Sequence, residues 1–220
     1  MTEQFQISQI KYALVVGAGH GIGLSLIKHL LDQNLEELTI ISTYRNESKA
    51  EGLISLAQQY SSKVFTYQVD PSSEEAISAF VDQLKDKTPE LDLVFIAPGF
   101  LHDETIKPEK SLRDISMDRL TKSFLINSCV TPLLAKYLVP FFRHKRLSMM
   151  ASLSAKVGSI SDNKLGGWYG YRASKAALNM FIKNISIEFK NRNISCVVLS
   201  IHPGTTDTSM TSPYVNKDKV

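Results

Sequence analysis

An apolar run, Tyr12–Val16, leads directly into a glycine-rich turn and then into a segment whose apolar residues have helical spacing. In such a strand–turn–helix unit, Gly17 permits the tight turn, Gly21 lets backbone amides approach a pyrophosphate, and Gly23 lets helix and strand pack closely. The positive end of the helix then faces the phosphates. The pattern predicts a dinucleotide-binding turn rather than a merely flexible one. The candidate cofactor contacts in this turn are Gly17, Gly19, His20, Gly21, Ile22 and Gly23.

Further apolar runs follow, separated by segments with helical periodicity. Runs that are apolar on both faces are typical of parallel strands covered on each side. The alternation of strand and helix therefore predicts an α/β fold, a doubly wound parallel sheet (Rossmann) with helices on both faces. No linker interrupts the pattern, so we expect a single domain over residues 1–220. The later predicted strands are Leu38–Ile41, Val64–Val69, Leu91–Ala97, Leu147–Leu153 and Ile194–Ile201; the predicted helices include Glu47–Tyr60, Asp114–Phe142 with a kink at Pro132, and Ala173–Phe189.

Composition excludes several classes of protein. The 25 Lys and Arg against 22 Asp and Glu leave a net charge of +3, which is too small to favour nucleic-acid binding. The two cysteines cannot form a disulfide framework, which favours a reducing compartment. The polar N-terminus lacks the apolar core of a signal peptide, and the apolar runs around 91–101 and 194–201 fall short of the ~18 residues that span a bilayer. We therefore expect a cytoplasmic protein that binds neither nucleic acid nor membrane.

The end of the second predicted strand bears on the choice of dinucleotide. Proteins that bind NAD place a carboxylate there to hold the ribose 2′-hydroxyl. The segment Ile41-Ser42-Thr43-Tyr44-Arg45 has none, and Arg45 can instead pair with a 2′-phosphate. The sequence thus favours NADP(H) over NAD(H), with a solvated loop charge as the alternative for Arg45.

A tyrosine and a lysine four residues apart form the second motif. Tyr171 and Lys175 lie on one face of a predicted helix, so the ammonium can sit near the phenol. A nearby cation is expected to lower the pKa of the phenol, which could then exchange a proton with a substrate oxygen. Tyr169 is rejected as the acid because Ala173, not a lysine, follows it by four residues. The alternative is an ordinary surface pair.

Together, the Gly-x-x-x-Gly-x-Gly turn, the Tyr-x-x-x-Lys pair and the late Pro203-Gly204 resemble the short-chain dehydrogenase/reductase family, over almost the whole chain. The segment from Ser154 to Ile160, followed by Asp162-Asn163 and Gly166-Gly167-Trp168, resembles the subgroup that includes C-factor-like proteins and the sniffer type of carbonyl reductase.

The resemblance implies roles for further residues. Ser154 would polarise the substrate carbonyl, although it is displaced by one residue from the commonest family pattern and Ser152 has the next claim; Ser159 is expected to be structural. Asn127 would hold a water that links the lysine to solvent, or else make a helix–helix hydrogen bond. The implied catalytic set is Asn127, Ser154, Tyr171 and Lys175.

The resemblance also implies further cofactor contacts. Asp70 matches the position that meets the adenine amino group, with helix capping as the alternative. Tyr171 and Lys175 would also contact the cofactor, and Gly99, Pro203, Gly204 and Thr206 would lie along it, with Thr205 and Thr208 as additional hydroxyls.

Two departures from the family pattern stand out. Ile96-Ala97-Pro98-Gly99 replaces the family's Asn-Asn-Ala-Gly, and the chain ends at Val220, so the domain is expected to be shortened at its C-terminus.

The expected function is therefore hydride transfer between NADP(H) and a small-molecule carbonyl or alcohol substrate, by a Ser-Tyr-Lys mechanism. The alternative is an NADP(H)-binding regulatory or signalling protein with little turnover. The family also implies a homodimer or homotetramer. His102 and Asp103 invite a metal-ligand interpretation, but no second histidine lies at ligand spacing, so no metal is expected.

Overall fold

In the computed structural model, which describes residues 4–204, 206, 208, 210 and 212–214, six parallel strands form one sheet in the order β3-β2-β1-β4-β5-β6. This confirms the predicted doubly wound parallel sheet. The strand order reverses between β1 and β4, which is where a crevice opens at the carboxyl edge of such a sheet. The strands are β1 Tyr12–Val16, β2 Thr39–Tyr44, β3 Val64–Gln68, β4 Leu93–Ile96, β5 Ser148–Leu153 and β6 Cys196–Ile201.

Six α-helices connect and cover the strands. They are α1 Gly21–Asp32, α2 Glu51–Gln59, α3 Glu74–Lys85, α4 Met117–Phe124, α5 Val130–Leu138 and α6 Tyr169–Asn191. Strand β1 shows how both faces are used, because Ala13 and Val15 pack with residues of α1 and α2 while Leu14 and Val16 pack with residues of α3, α5 and α6. Each of these four side chains is at most 1% exposed, as the apolar run predicts.

The helical stretch before β5 is irregular on the N-terminal side of Pro132. The five residues Leu125–Cys129 form a π-helical turn between α4 and α5, and a 3-10 turn, Val139–Phe142, follows α5. Proline has no N–H to donate to the carbonyl oxygen one turn earlier, and the wide turn occupies those preceding residues. This wide turn carries Asn127. The predicted kink at Pro132 itself stays a prediction.

Helix boundaries also differ from the predicted ones. Residues Glu47–Lys49 form a 3-10 turn, so α2 begins only at Glu51. Helix α6 begins at Tyr169 rather than Ala173. Tyr171 consequently lies in the first turn of α6, next to the carboxyl edge of the sheet.

One helical stretch, residues 117–142, is long and apolar enough by composition alone to cross a membrane. More than half of its most apolar 18-residue window is buried inside the fold, and α5 packs against α3 and α6. It therefore serves here as a core element. Exposed apolar side chains on α4 and α6, among them Met117 and Met180, lie on the helices that the family resemblance assigns to a homo-oligomer contact, which stays a prediction.

A buried carboxylate ties three strands together at the opposite edge of the sheet. Oδ2 of Asp92, just before β4, accepts hydrogen bonds from the backbone N–H groups of Lys11 (2.9 Å) and Tyr12 (3.0 Å) at the start of β1. Its Oδ1 accepts from Nη2 of Arg146, shortly before β5, at 2.8 Å. Because two backbone donors and a guanidinium depend on one side chain, Asp92 fixes the relative positions of these strands.

We expect Asp92→Ala to lower the free energy of unfolding by about 1–3 kcal/mol, because it leaves two partly buried backbone N–H groups without their acceptor. Urea unfolding followed by circular dichroism measures the loss. Asp82→Ala is the matched control, since Asp82 pairs with Lys85 on the surface and such pairs contribute less than about 1 kcal/mol. Equal stability of the two variants would contradict this role of Asp92.

Candidate active site

A cavity of about 610 Å³ opens at the carboxyl edge of the sheet. Its walls come from the segments that follow all six strands, including Val69 and Pro71 after β3, together with the first turns of α6. It is lined by all six predicted residues of the glycine turn and by Arg45, Gly99, Ser154, Tyr171, Lys175, Pro203, Gly204 and Thr206. The fold therefore brings the glycine turn and the Tyr-Lys pair into one cavity, although they are far apart in the sequence.

The glycine turn has the backbone geometry that its composition predicts. Gly17 and Gly21 have φ of +76° and +59°, a region that favours glycine. A Cβ on Gly23 would lie 2.7 Å from the carbonyl oxygen of Gly17, so only glycine permits this approach of α1 to the turn. Thr43 on β2 holds the turn in place, because its Oγ1 accepts from the N–H of Gly17 (3.2 Å) and its carbonyl oxygen accepts from Ala18 (2.7 Å).

Polar groups at the end of β2 line the same cavity near the glycine turn. Arg45 is joined there by Asn46 and Lys49, neither of which was predicted from the sequence. Lys49 lies in the 3-10 turn before α2, several residues after β2. Its position in the sequence therefore did not indicate that it would line the cavity. The structure thus gathers two cations and an amide where the sequence predicted one cation.

Asp70 follows β3 but is not among the residues that line the cavity. Its Oδ1 accepts from the backbone N–H (2.9 Å) and hydroxyl (2.6 Å) of Ser72. Burial alone would raise the pKa of Asp70, but these hydrogen bonds and the charge of Arg45 hold it below its ordinary value. These contacts close a turn ahead of α3, whose N-cap is Ser73, so the helix-capping alternative for Asp70 is wrong. The adenine contact stays a prediction.

Lys175 is the most deeply buried cation in the cavity wall. It is 3% exposed, and its Nζ donates to the carbonyl oxygen of Leu153 at 2.8 Å. Burial lowers the pKa of Lys175 to about 8. The end of β5 is thereby tied to α6 through a lysine that holds its proton less firmly than a surface lysine does.

The electrostatic expectation for Tyr171 is wrong in direction. Burial raises the pKa of its phenol, whereas the helical spacing led us to expect that the neighbouring ammonium lowers it. Nζ of Lys175 lies 5.9 Å from the centre of the phenol ring, and the loss of hydration outweighs its charge at that distance. The free protein therefore holds Tyr171 in its neutral, proton-donating form.

The structure separates the two candidate serines. Ser154 lines the cavity, and its Oγ donates to Oδ1 of Asn179 at 2.9 Å. Ser152 is buried and does not line the cavity, and its hydroxyl lies 3.0 Å from that of Thr131 on α5. Of these two serines, only Ser154 is therefore placed to meet a molecule in the cavity.

Gly158 packs directly against the backbone of α6. A Cβ on Gly158 would lie 2.9 Å from both the carbonyl carbon and the Cβ of Lys175. The turn that follows Ser154 and the helix that carries the lysine are consequently in backbone contact, which fixes their distance.

Asn127 is buried and does not line the cavity. Its Oδ1 accepts from the N–H of Phe100 (2.7 Å), and its Nδ2 donates to the carbonyl oxygen of Phe100 (2.8 Å) and to Oγ of Ser174 (3.1 Å). The amide therefore links the loop after β4 to α6, as the hydrogen-bond alternative expects. A role in a water relay stays a prediction.

With this geometry in hand, comparison with known proteins is direct. The sequence model described as short chain dehydrogenase matches residues 11–219. The chain belongs to this family. The predicted resemblance is confirmed.

Individual members of the short-chain dehydrogenase family are similar over most of the chain. Benzil reductase ((S)-benzoin forming) of Saccharomyces cerevisiae is 29% identical over 203 residues, which cover 91% of this chain and 73% of that protein. The solved structure of carbonyl reductase Sniffer of D. melanogaster is 25% identical, with a TM-score of 0.82, covering 92% of this chain and 84% of that one. An NADPH-bound carbonyl reductase from chicken fatty liver has a TM-score of 0.85 at 24% identity, covering 96% and 86%.

This short-chain dehydrogenase keeps the turn after β4 without the family asparagines. Pro98 contacts the glycine turn, since a Cβ on Gly17 would meet its ring at 3.0 Å. Gly99 packs against Met210, because a Cβ on Gly99 would lie 3.0 Å from Cε of Met210.

The turn after β6 also lines the cavity, and Gly204 in this turn has φ of +76°. Thr206 and Thr208 line the cavity, whereas Thr205 lies outside the described residues.

An aromatic wall beside the catalytic candidates was not predicted from the sequence. Trp168 contacts the rings of Tyr171 and Tyr214 edge-on, with centroids 6.1 and 5.6 Å apart, and all three side chains line the cavity. Trp168 itself has a left-handed backbone, with φ of +50°, after two glycines at +65°. Two glycines before an aromatic residue were the available signal. We call Trp168, Tyr171 and Tyr214 the aromatic wall.

His102 and Asp103 each contact other residues and do not form a common metal-binding site. Nε2 of His102 lies 3.0 Å from the carbonyl oxygen of Met210, and Asp103 pairs with Lys122. Within the part of the chain that the structure describes, no group of three His, Cys, Asp or Glu side chains could hold a metal ion.

The lowered pKa of Lys175 predicts how stability varies with pH. Above about pH 8 the folded chain releases this proton, whereas the unfolded chain keeps it until near pH 10. The unfolded state then binds more protons, so Lys175 makes the folded state more stable as pH rises through this window. Thermal unfolding between about pH 7.5 and about pH 10 measures the effect.

Lys175→Met is the control, because it removes this proton while keeping a long side chain. Burial raises the pKa values of Cys129 and Cys196, so these thiols make the folded state less stable as pH rises over a similar range. Both proteins in the comparison carry the two cysteines, so the difference between their pH profiles reports Lys175. A pH dependence of the melting temperature that is the same in both chains would show that Lys175 has an ordinary pKa.

Proposed function

We propose that this protein is an NADP(H)-dependent carbonyl reductase or alcohol dehydrogenase. The observation that carries the proposal is the meeting of Ser154, Tyr171 and Lys175 with the glycine turn in one cavity. The nicotinamide cofactor, when bound, supplies or accepts the hydride at the carbonyl carbon. The chain's membership of the short-chain dehydrogenase family does not depend on this proposal.

The glycine turn and the cations after β2 fit such a cofactor. Glycines without Cβ atoms leave the backbone N–H groups at the start of α1 accessible to a pyrophosphate. Arg45 and Lys49 would meet a 2′-phosphate, with bidentate hydrogen bonding available to the guanidinium. The chicken carbonyl reductase of similar fold holds NADPH, which supports the same preference here.

The chain's own residues supply the proton and hold the oxygen. The neutral phenol of Tyr171 donates its proton to the carbonyl oxygen as negative charge develops there, and takes a proton back in the reverse direction. The Ser154 hydroxyl holds that oxygen by a second hydrogen bond. The ammonium of Lys175 stabilises the phenolate that Tyr171 becomes, in a site whose burial strengthens the interaction.

The aromatic wall favours a substrate with an aryl or other bulky apolar group next to its carbonyl. Benzil, which appears in the name of the similar Saccharomyces reductase, is the first test substrate on this ground. If the protein binds NADPH but does not oxidise it in the presence of benzil or any other compound of a carbonyl panel, the regulatory alternative is favoured.

We expect Tyr171→Phe to lower the turnover number for benzil reduction by about 10²–10⁴-fold, because the proton donor is lost. The dissociation constant of NADPH, measured by fluorescence, should change by less than about threefold. Tyr169→Phe is the control, since Tyr169 lies on the same turn of α6 but outside the cavity wall. Undiminished turnover in Tyr171→Phe would reject the mechanism.

We expect Arg45→Ala to lower kcat/KM for NADPH by about 10- to 100-fold, the effect of losing a charge-assisted hydrogen bond. Its kcat/KM for NADH should stay nearly constant, because NADH has no 2′-phosphate. Steady-state kinetics with both cofactors measures the ratio, and Arg113→Ala, at an exposed position, is the control. An equal loss for both cofactors would assign Arg45 another role.

A further inference from the structure

Asn179 continues the catalytic face of α6. Tyr171, Lys175 and Asn179 are spaced by four residues, so they lie above one another on the helix. No role for Asn179 was predicted from the sequence, because an isolated asparagine in a helix carries no motif.

One atom of Asn179 contacts two serine hydroxyls on neighbouring strands. Oδ1 accepts from Oγ of Ser154, just after β5, at 2.9 Å and from Oγ of Ser200, on β6, at 2.8 Å. Within the described part of the chain, Asn179 is the only side chain that hydrogen bonds the Ser154 hydroxyl. The backbone of Ser154 is fixed separately, since its N–H donates to the carbonyl oxygen of Ile201 at 2.8 Å.

This arrangement has a chemical consequence for Ser154. A serine hydroxyl has one proton to donate. While Oδ1 of Asn179 accepts that proton, Ser154 cannot also donate it to a carbonyl oxygen in the cavity. Oxygen and NH₂ of an amide have similar size, so a half-turn about the Cβ–Cγ bond exchanges them with the same spacing to both serines.

After that half-turn the NH₂ group has two protons, one for each serine oxygen. Ser154 then accepts from Asn179 and its own proton is free to point into the cavity. Ser200 can hydrogen bond to Asn179 in either orientation of the amide, because a hydroxyl both donates and accepts.

We propose that Asn179 is the positioning residue of Ser154, and that it presents its NH₂ group to the Ser154 oxygen in the reacting complex so that the serine proton reaches the substrate. The inference rests on the proposed function. It assigns Asn179 no contact with substrate or cofactor. Asn179 sets the direction of the hydrogen bond through which Ser154 acts.

Asn179→Asp is the sharpest test, because it keeps the shape of the side chain but replaces the NH₂ donor by an acceptor. The carboxylate holds the Ser154 proton, so kcat for benzil reduction with NADPH should fall about 30-fold or more, whereas Asn179→Ala should lose about 10-fold. The dissociation constant of NADPH should stay within about twofold in both.

A pH series gives a readout that a merely structural role would not move. Protonation restores a donor at position 179, so the activity of Asn179→Asp relative to Asn179→Ala should rise as pH falls. Lys175 and Tyr171 face the same site from the same helix, and both variants carry them, so the ratio removes their titration. A ratio that is flat with pH would overturn the proposal.

Ser200→Ala tests the structural explanation, in which Asn179 simply joins β5 to β6. This substitution breaks the bridge but keeps the contact with Ser154, so kcat should stay within about twofold of the unsubstituted chain. Equal losses in Ser200→Ala and Asn179→Ala would show that the bridge alone matters and would overturn the proposal.

Ser154→Ala separates this inference from the proposed function. If Ser154→Ala loses about 100-fold in kcat while both Asn179 variants react like the unsubstituted chain, only the inference fails. If Ser154→Ala keeps full turnover, the Ser-Tyr-Lys mechanism fails and the inference fails with it. Thermal unfolding of each variant confirms that it is folded at the assay temperature.

Discussion

The hydrogen bond from Nζ of Lys175 to the carbonyl oxygen of Leu153 joins α6 to the carboxyl edge of the sheet. It gives a buried ammonium its partner, and it places Tyr171 and Asn179, one turn away on either side, above the end of β5. Because burial of an unpartnered cation is costly, this bond, together with the buried apolar side chains of α6 such as Leu178 and Ile182, favours the face of α6 that points at the cavity. The remaining groups of the site are positioned relative to this contact.

Burial has opposite effects on the two titrating groups of α6. It lowers the pKa of Lys175 to about 8 and raises that of Tyr171, so at neutral pH the lysine still carries its proton and the phenol is neutral. The sequence shows only that Tyr171 and Lys175 are four residues apart on one helix, and from that spacing we predicted a lowered pKa for the phenol. The depth of the site reverses that expectation for Tyr171, and a neutral phenol is the form that can donate a proton.

The glycine turn and the Tyr-Lys pair were predictable because their chemistry is local: backbone conformation at Gly17 and Gly21, and helical spacing of four residues. The doubly wound sheet was predictable because its strands are apolar on both faces. Lys49 and Trp168 were not, since each reaches the cavity only through the packing of distant segments, and neither was the contact of Asn179 with Ser154. The wide turn at Leu125–Cys129 escaped prediction because Pro132 marks the disturbed helix but not the side on which it relaxes.

The contact between Gly158 and the backbone of α6 leaves no room for even one methyl group. The segment that bears Ser154 and the helix that bears Lys175 consequently behave as one rigid body, and a change in either is passed to the other. Engineering of substrate preference in this protein would therefore meet a fixed boundary at position 158. Leu101 and Met210 also line the cavity and lie outside this backbone contact, so substitutions there avoid that boundary.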